Sequence, residues 1–182
     1  MSELVDELLL LARLDAGRPL ATEPVDLTRL IIDAASDARV AAADHRWQLD
    51  LPEQPVTVRG DEQRLRQVLA NLLSNAARHT PPGTTVTIAL AAPGGPAGTA
   101  TLSVTDDGPG IPPDLQPELF ERFVRGDSSR SRAAGSTGLG LAIVEAVVAA
   151  HRGHVGVTSR PGETAFVITL PLPGAASPSD PS

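Results

Sequence analysis

The sequence contains no cysteine and no tyrosine, and only one tryptophan and three phenylalanines. The lack of cysteine excludes a disulfide framework, a thiolate zinc site and a cysteine nucleophile, and leaves redox chemistry to a borrowed cofactor. Four aromatic rings, Trp47, Phe120, Phe123 and Phe166, are too few to stack single-stranded nucleic acid, and they oblige the core to be aliphatic. Positive charge is also short. Fifteen Lys plus Arg against 22 Asp plus Glu leave a net charge of -7, which argues against a nucleic-acid duplex or an anionic membrane surface as partner. No run approaches the ~18 apolar residues of a membrane span. The densest, Leu8 to Ala12, is flanked by Asp6, Glu7 and Arg13. The N-terminus has neither the basic region nor the small-residue cleavage site of a secretory signal, which points to the cytoplasm.

At 182 residues the chain is long enough for one main domain and a short appendage. Glu3 to Ala16 is rich in helix formers, with Leu4, Leu8 and Leu11 on one stripe, and reads as a bundle helix that must pack on another; Gly17 and Pro19 end it. A second helix starts near the N-cap candidate Asp26, and Trp47 to Leu51 and Val56 to Arg59 alternate as short strands. From Asp61 to His79, residues Leu65, Val68, Leu69, Leu72, Leu73 and Ala76 follow the helical template throughout. Val86, Ile88 and Leu90 alternate on one strand and Leu102 and Val104 on the next, so an antiparallel pair is expected. Gly108 to Thr137 has little periodicity and reads as a functional loop or lid. Leu139 to Ala150 is a last helix, and a closing hairpin turns at Pro161-Gly162.

Three segments carry candidate chemistry. On the third helix Asn71, Asn75, Arg78 and His79 share one polar stripe. Asparagine is a poor helix former, and two at this spacing suit neutral oxygen ligands for Mg²⁺ when phosphates supply the remainder, with Arg78 placed to meet those phosphates. A solvated face is the alternative for the isolated pair. On the strand Thr101 to Asp106, the parity of Leu102, Val104 and Asp106 aims a carboxylate at the core, where it needs a donor such as an exocyclic amine. Gly108-Pro109-Gly110 lets a ligand approach the backbone there. A turn-initiating aspartate is the alternative, and Asp107 points the other way. In GSTGLGLAIV, the residues Gly135, Gly138 and Gly140 precede and open a helix whose N–H groups can hold polyphosphate. Between these, LFERFVRGDSSRSR brings Arg122, Arg125, Arg130 and Arg132 beside Phe120 and Phe123.

Taken in order, ANLLSNAARHT, DDGPGIP, LFERFVRGDSS and GSTGLGLAIV make the chain resemble the catalytic and ATP-binding domain of bacterial sensor histidine kinases, from about Val25 to Leu170. The resemblance implies a two-layer α/β sandwich of the type shared with gyrase, chaperone and mismatch-repair ATPases, its mostly antiparallel mixed sheet covered on one face by three helices. It implies residues 1–17 as the end of a dimerisation and phosphoacceptor helix, 18–24 as a linker and 25–171 as the catalytic domain with a lid at 108–137; residues 172–182, rich in Pro, Ser and Ala, read from composition as a disordered tail. It implies ATP and Mg²⁺ as cofactors, with Asn71 and Asn75 on the metal and Asn71 and Arg125 serving transfer. Arg78, His79, Asp106, Gly108, Gly110, Ile111, Phe120, Phe123, Gly135, Thr137, Gly138, Leu139, Gly140 and Leu141 would surround the nucleotide.

One departure stands out: the family's phosphoacceptor histidine, followed by an acid and soon by a proline, is missing. His45, His79, His151 and His154 are followed by Arg, Thr, Arg and Val. His45, His151 and His154 read as surface residues without partners. The expected acceptor is a histidine hairpin or protein in trans, with a response regulator downstream, and the chain itself is expected to be a monomer or weak dimer, either a piece of a longer receptor or a short protein acting on a separate one. A hydrolytic ATPase is disfavoured because Asn71 occupies the position of a general-base glutamate, and an amide cannot take a proton from water. An anti-sigma serine kinase lacks the opening bundle helix. A nucleotide-sensing module without catalysis is the remaining alternative.

Overall fold

The computed structural model describes residues 2–92, 98–123 and 137–174. They form α1 (Glu3–Asp15), β1 (Glu23–Asp26), α2 (Leu27–Ala41), β2 (Arg46–Asp50), β3 (Thr57–Gly60), α3 (Glu62–His79), β4 (Thr85–Ala91), β5 (Thr99–Asp106), a 3₁₀ turn (Gln116–Glu118), α4 (Gly140–Ala150), β6 (His154–Arg160) and β7 (Glu163–Pro171). Aspartates start the two long domain helices. The Asp26 side chain accepts the Arg29 N–H at the head of α2, and Asp61 accepts the Arg64 N–H at the head of α3.

The main sheet has the strand order β2-β4-β5-β7-β6. Only β2 and β4 run parallel; the other neighbours are antiparallel. Alternation along β4, β5 and β7 buries Val86, Ile88, Leu90, Leu102, Val104, Phe166, Ile168 and Leu170 against the helical layer, while the Thr85, Thr87 and Thr105 face is left open. From the helices, Ile31, Leu69, Leu72, Ile143 and Val147 close the same aliphatic core. This is the two-layer sandwich that the motifs imply.

Two departures from the sequence reading lie away from the site. The stretch expected as a linker, 18–24, ends in a strand: Glu23 and Pro24 begin β1, which pairs antiparallel with β3 in a separate two-stranded ribbon. With one buried residue, Val25, and a proline at its second position, β1 shows no alternation to recognise. Second, His151 is buried, not a partnerless surface residue. Its Nδ1 donates to Val147 O at 2.7 Å and its Nε2 accepts the Asp61 N–H at 2.9 Å, stapling the end of α4 to the start of α3.

The opening helix is joined to the domain by more than its chain. Leu10 and Leu11 enter the common core as α1 packs along α4, while Leu4, Val5, Leu8 and Leu9 remain exposed. Leu11→Ala is expected to lower stability by roughly 2–5 kcal/mol, as for other fully buried leucines. Urea denaturation checks this, and an effect of a few tenths would mean that α1 is not docked in solution. Among the described residues, no helix is long and apolar enough to cross a membrane.

Candidate functional site

Asp106 is the last residue of β5, between Val86 of β4 and Thr164 of β7. Strand parity turns it inward, and it is only 7% exposed. Its Oδ1 accepts the Gly108 N–H at 3.0 Å; its other oxygen has no protein donor among the described residues. Burial pushes the carboxyl above the usual carboxylate range, opposed by the Gly108 N–H, with Asp107 adding to the rise and His45 countering it. Asp107 faces outward, where its Oδ1 accepts the Thr85 N–H.

The turn after Asp106 is held on both sides. A Cβ on Gly108 would lie 2.7 Å from Thr80 Cγ2 and 2.8 Å from Asp106 Oδ1. Gly110 has φ +85°, and a Cβ there would lie 2.7 Å from Arg160 C and O. The loop is tied to the β6–β7 hairpin by Gly162 N–H to Gly108 O, by Ile111 N–H to Ser159 Oγ, and by Gln116 Nε2 donating to Ile111 O and Ser159 O.

Across from this turn stands α3. Asn75, His79 and Thr80 line a narrow cavity of about 50 Å³ together with Asp106, Gly110 and Ile111, and Phe166 and Thr164 form its floor. A larger open depression, about 440 Å³, lies on the open face of the sheet among Thr85, Thr87, Thr105, Arg160 and Glu163. No side chain of α3 reaches it, so the smaller cavity is the candidate site. Asn71 sits one turn earlier, its Nδ2 donating to Gly140 O at 3.0 Å, which leaves its oxygen available and joins α3 to the head of α4. Arg78 is exposed at the end of the stripe, outside the cavity. Partial burial, and then the Arg78 guanidinium, push the His79 imidazole below the usual histidine range.

The second glycine segment meets α3 from the other side. Thr137 Oγ1 donates to Glu7 Oε2 at 2.6 Å and accepts the Leu139 N–H; Gly138 has φ +73°; Leu139 is fully buried, Leu141 partly so, and Gly140 begins α4. Phe120 packs edge-on against Phe166 with ring centroids 6.3 Å apart. Phe123 differs from the expected aromatic anchor: the residue is 58% exposed, and it is its backbone N–H, at φ 64°, that bonds to Gly138 O. Arg122 pairs with Asp15 of α1. Arg125, Gly135, Arg130 and Arg132 lie outside the described residues, as do 124–136 of the expected lid and 175–182 of the expected tail.

Sequence reasoning assigned no role to Thr80, Thr164 or Phe166. Thr80 closes the quoted motif ANLLSNAARHT, and Thr164 has the buried parity of Phe166 on β7; both signals were present. His45, expected on the surface, is buried with partners on both ring nitrogens.

An inward carboxylate on a strand end, a glycine turn beside it, and amide oxygens on the facing helix define a nucleotide-binding α/β sandwich. The chain belongs to the family described as "Histidine kinase-, DNA gyrase B-, and HSP90-like ATPase", whose model matches residues 60–174. It is 60% identical over 174 residues to the probable sensor histidine kinase TcrY and 54% identical over 174 residues to the sensor histidine kinase TrcS, both of Mycobacterium tuberculosis. These alignments cover 96% and 94% of this chain but 36% and 34% of the relatives, so the chain spans about a third of the length of the curated relatives it matches. Among solved structures, the mycobacterial sensor histidine kinase MprB superposes with a TM-score of 0.72 at 38% identity, covering 82% of this chain and 97% of that one. Full-length ShkA in complex with AMPPNP gives 0.80 at 33% identity, covering 97% and 36%. The fold and kin are those of the ATP-binding domain of sensor histidine kinases.

Proposed function

We propose that this domain binds Mg-ATP between α3 and the Gly108–Gly110 turn and passes the γ-phosphate to a histidine supplied by another segment or protein, from which a response regulator draws it. The observation that carries this reading is the convergence of Asp106 and Asn75, from opposite layers, on one cavity. The free oxygen of Asp106 accepts the adenine amine. Asn71 and Asn75 offer neutral oxygens one helical turn apart, a donor set that fits a hard cation sharing its shell with phosphates and water. Bound there, Mg²⁺ neutralises phosphate charge. The head of α4, fixed to Asn71 through Gly140, turns backbone N–H groups toward the polyphosphate. In the transfer, the bond from the γ-phosphorus to the bridging oxygen breaks, a phosphorus–nitrogen bond to the acceptor imidazole forms, and ADP leaves. Arg125, by its place in the LFERFVRGDSS motif, stabilises the moving phosphoryl charge. An amide at position 71 has no basicity to activate water, which favours transfer over hydrolysis.

Incubation with γ-labelled ATP and Mg²⁺, with and without a separately made phosphoacceptor hairpin, tests this directly. Label is expected on the hairpin and not on the domain. Arg125→Ala is expected to leave ATP affinity within about twofold while transfer falls by roughly 10³-fold. ATP binding with no label on the hairpin would favour a nucleotide-sensing module, and transfer surviving in Arg125→Ala would remove that residue's role.

A further inference from the structure

Behind the cavity, Thr80 of its lining is tied to a pair that the proposed function leaves unused, Asp44 and His45. His45 occupies the bend between α2 and β2, and its side chain is 3% exposed. Nδ1 lies 2.8 Å from Asp44 Oδ1 and Nε2 lies 2.9 Å from Thr80 Oγ1. The single hydroxyl hydrogen of Thr80 is donated to Ala76 O at 2.6 Å, so its oxygen accepts from Nε2–H. Nδ1 rests against the Asp44 carboxylate, so the ring is held on both sides.

The other side of Thr80 faces the site. Its methyl fills the space that a side chain on Gly108 would take, and it lines the same cavity as Asp106. The Gly108 N–H in turn holds Asp106 Oδ1. A chain of contacts thus runs from Asp44 through His45 and Thr80 to the Gly108 turn and the carboxylate. His45 also opposes, as the smallest contribution, the effect of burial on Asp106.

We propose that His45 is a positioning residue for base selection: through Thr80 it fixes the Gly108 turn, and so the Asp106 carboxylate that takes adenine and turns away guanine. This rests on the reading of the cavity as a nucleotide site. Adenine presents an amine hydrogen where guanine presents a carbonyl oxygen, so a well-placed carboxylate discriminates, and a loosened one discriminates less.

The test is calorimetric titration of the whole chain with ADP and with GDP, for the wild type, His45→Phe, His45→Gln, Thr80→Val and the double variant His45→Phe/Thr80→Val, each below its measured Tm. The wild type is expected to prefer ADP. His45→Phe is expected to lose about tenfold in ADP affinity with GDP affinity unchanged within about twofold, so that selectivity narrows. His45→Gln, which keeps an N–H for Thr80, recovers most of the loss. Thr80→Val behaves like His45→Phe, and the double variant adds little to either, because both break one chain of contacts. A purely structural role would lower Tm and leave the ADP-to-GDP ratio alone. An unchanged ratio in His45→Phe, or in Thr80→Val should the former not fold, overturns the proposal. Failure of the wild type to bind ADP overturns the nucleotide reading and this inference with it, and is recognised because it appears without any substitution.

Discussion

Replacing Asp106 by asparagine is expected to weaken ADP binding by about a hundredfold while leaving the unliganded protein as stable as before, or slightly more so. The amide oxygen can still accept the Gly108 N–H, which turns the amide nitrogen toward the base. Two donors then face each other where an amine met a carboxylate. The stability half of the expectation follows from the direction of the pKa shift. Asp106 has a raised carboxyl pKa in the folded state, chiefly because burial penalises its charge. Such a group contributes stability that is fully present below the unfolded-state pKa and is lost as pH rises through the folded one. At neutral pH the ionised carboxylate is therefore a cost to the fold, and the amide removes it. For the wild type, ADP affinity is expected to fall on acidification through the raised pKa, above the range in which an ordinary aspartate protonates. Titration calorimetry across pH, paired with thermal unfolding of both proteins, checks each part. Parallel loss of binding and stability in Asp106→Asn would make the residue structural.

Gly110→Ala is expected to destabilise the fold by roughly 2–4 kcal/mol and to abolish most nucleotide binding even where the protein remains folded. The residue sits at φ +85°, and the added Cβ would meet the Arg160 C and O at 2.7 Å and Pro161 N at 3.0 Å. These are backbone atoms of the adjacent hairpin and cannot rotate aside, so the turn must lift. Lifting breaks the bonds from Gly162 N–H to Gly108 O and from Ile111 N–H to Ser159 Oγ, and moves the wall opposite Asn75. Gly156→Ala is the control, since nothing lies within 4 Å of its added carbon and its φ is ordinary. Urea midpoints and ADP titrations compare the two; similar behaviour would mean that the turn is not seated on the hairpin.

These effects trace to how each part of the site is encoded. The apolar stripe of α3 and the inward parity of Asp106 are local periodicities, and both could be read directly from the chain. The sandwich followed from the order of the motifs. The ribbon of β1 and β3 could not, because a four-residue strand with one buried side chain carries no period. The burial of His45 and His151 depends on groups far along the chain: Nε2 of His151 receives the Asp61 N–H, and Nε2 of His45 meets Thr80. A histidine at a helix end reads alike whether such a partner arrives or not. Phe123 shows the same limit in reverse. Its neighbour Phe120 finds Phe166, whereas Phe123 is left outside by a backbone turned to φ 64°, which sequence spacing does not report.

The seating of α1 bears on how sensor histidine kinases could be recombined. The covalent seam between helix and domain lies in residues 16–22, an inviting junction for chimeras. The physical seam lies elsewhere, because Leu10 and Leu11 are part of the domain's core, and Glu7 and Asp15 of the helix bond to Thr137 and Arg122 of the domain. A transplanted helix that lacks those four side chains in register would leave a hole beside α4 and lose both of those bonds. Interchangeable parts, for this domain, must therefore be cut to include the last three turns of the helix that precedes it.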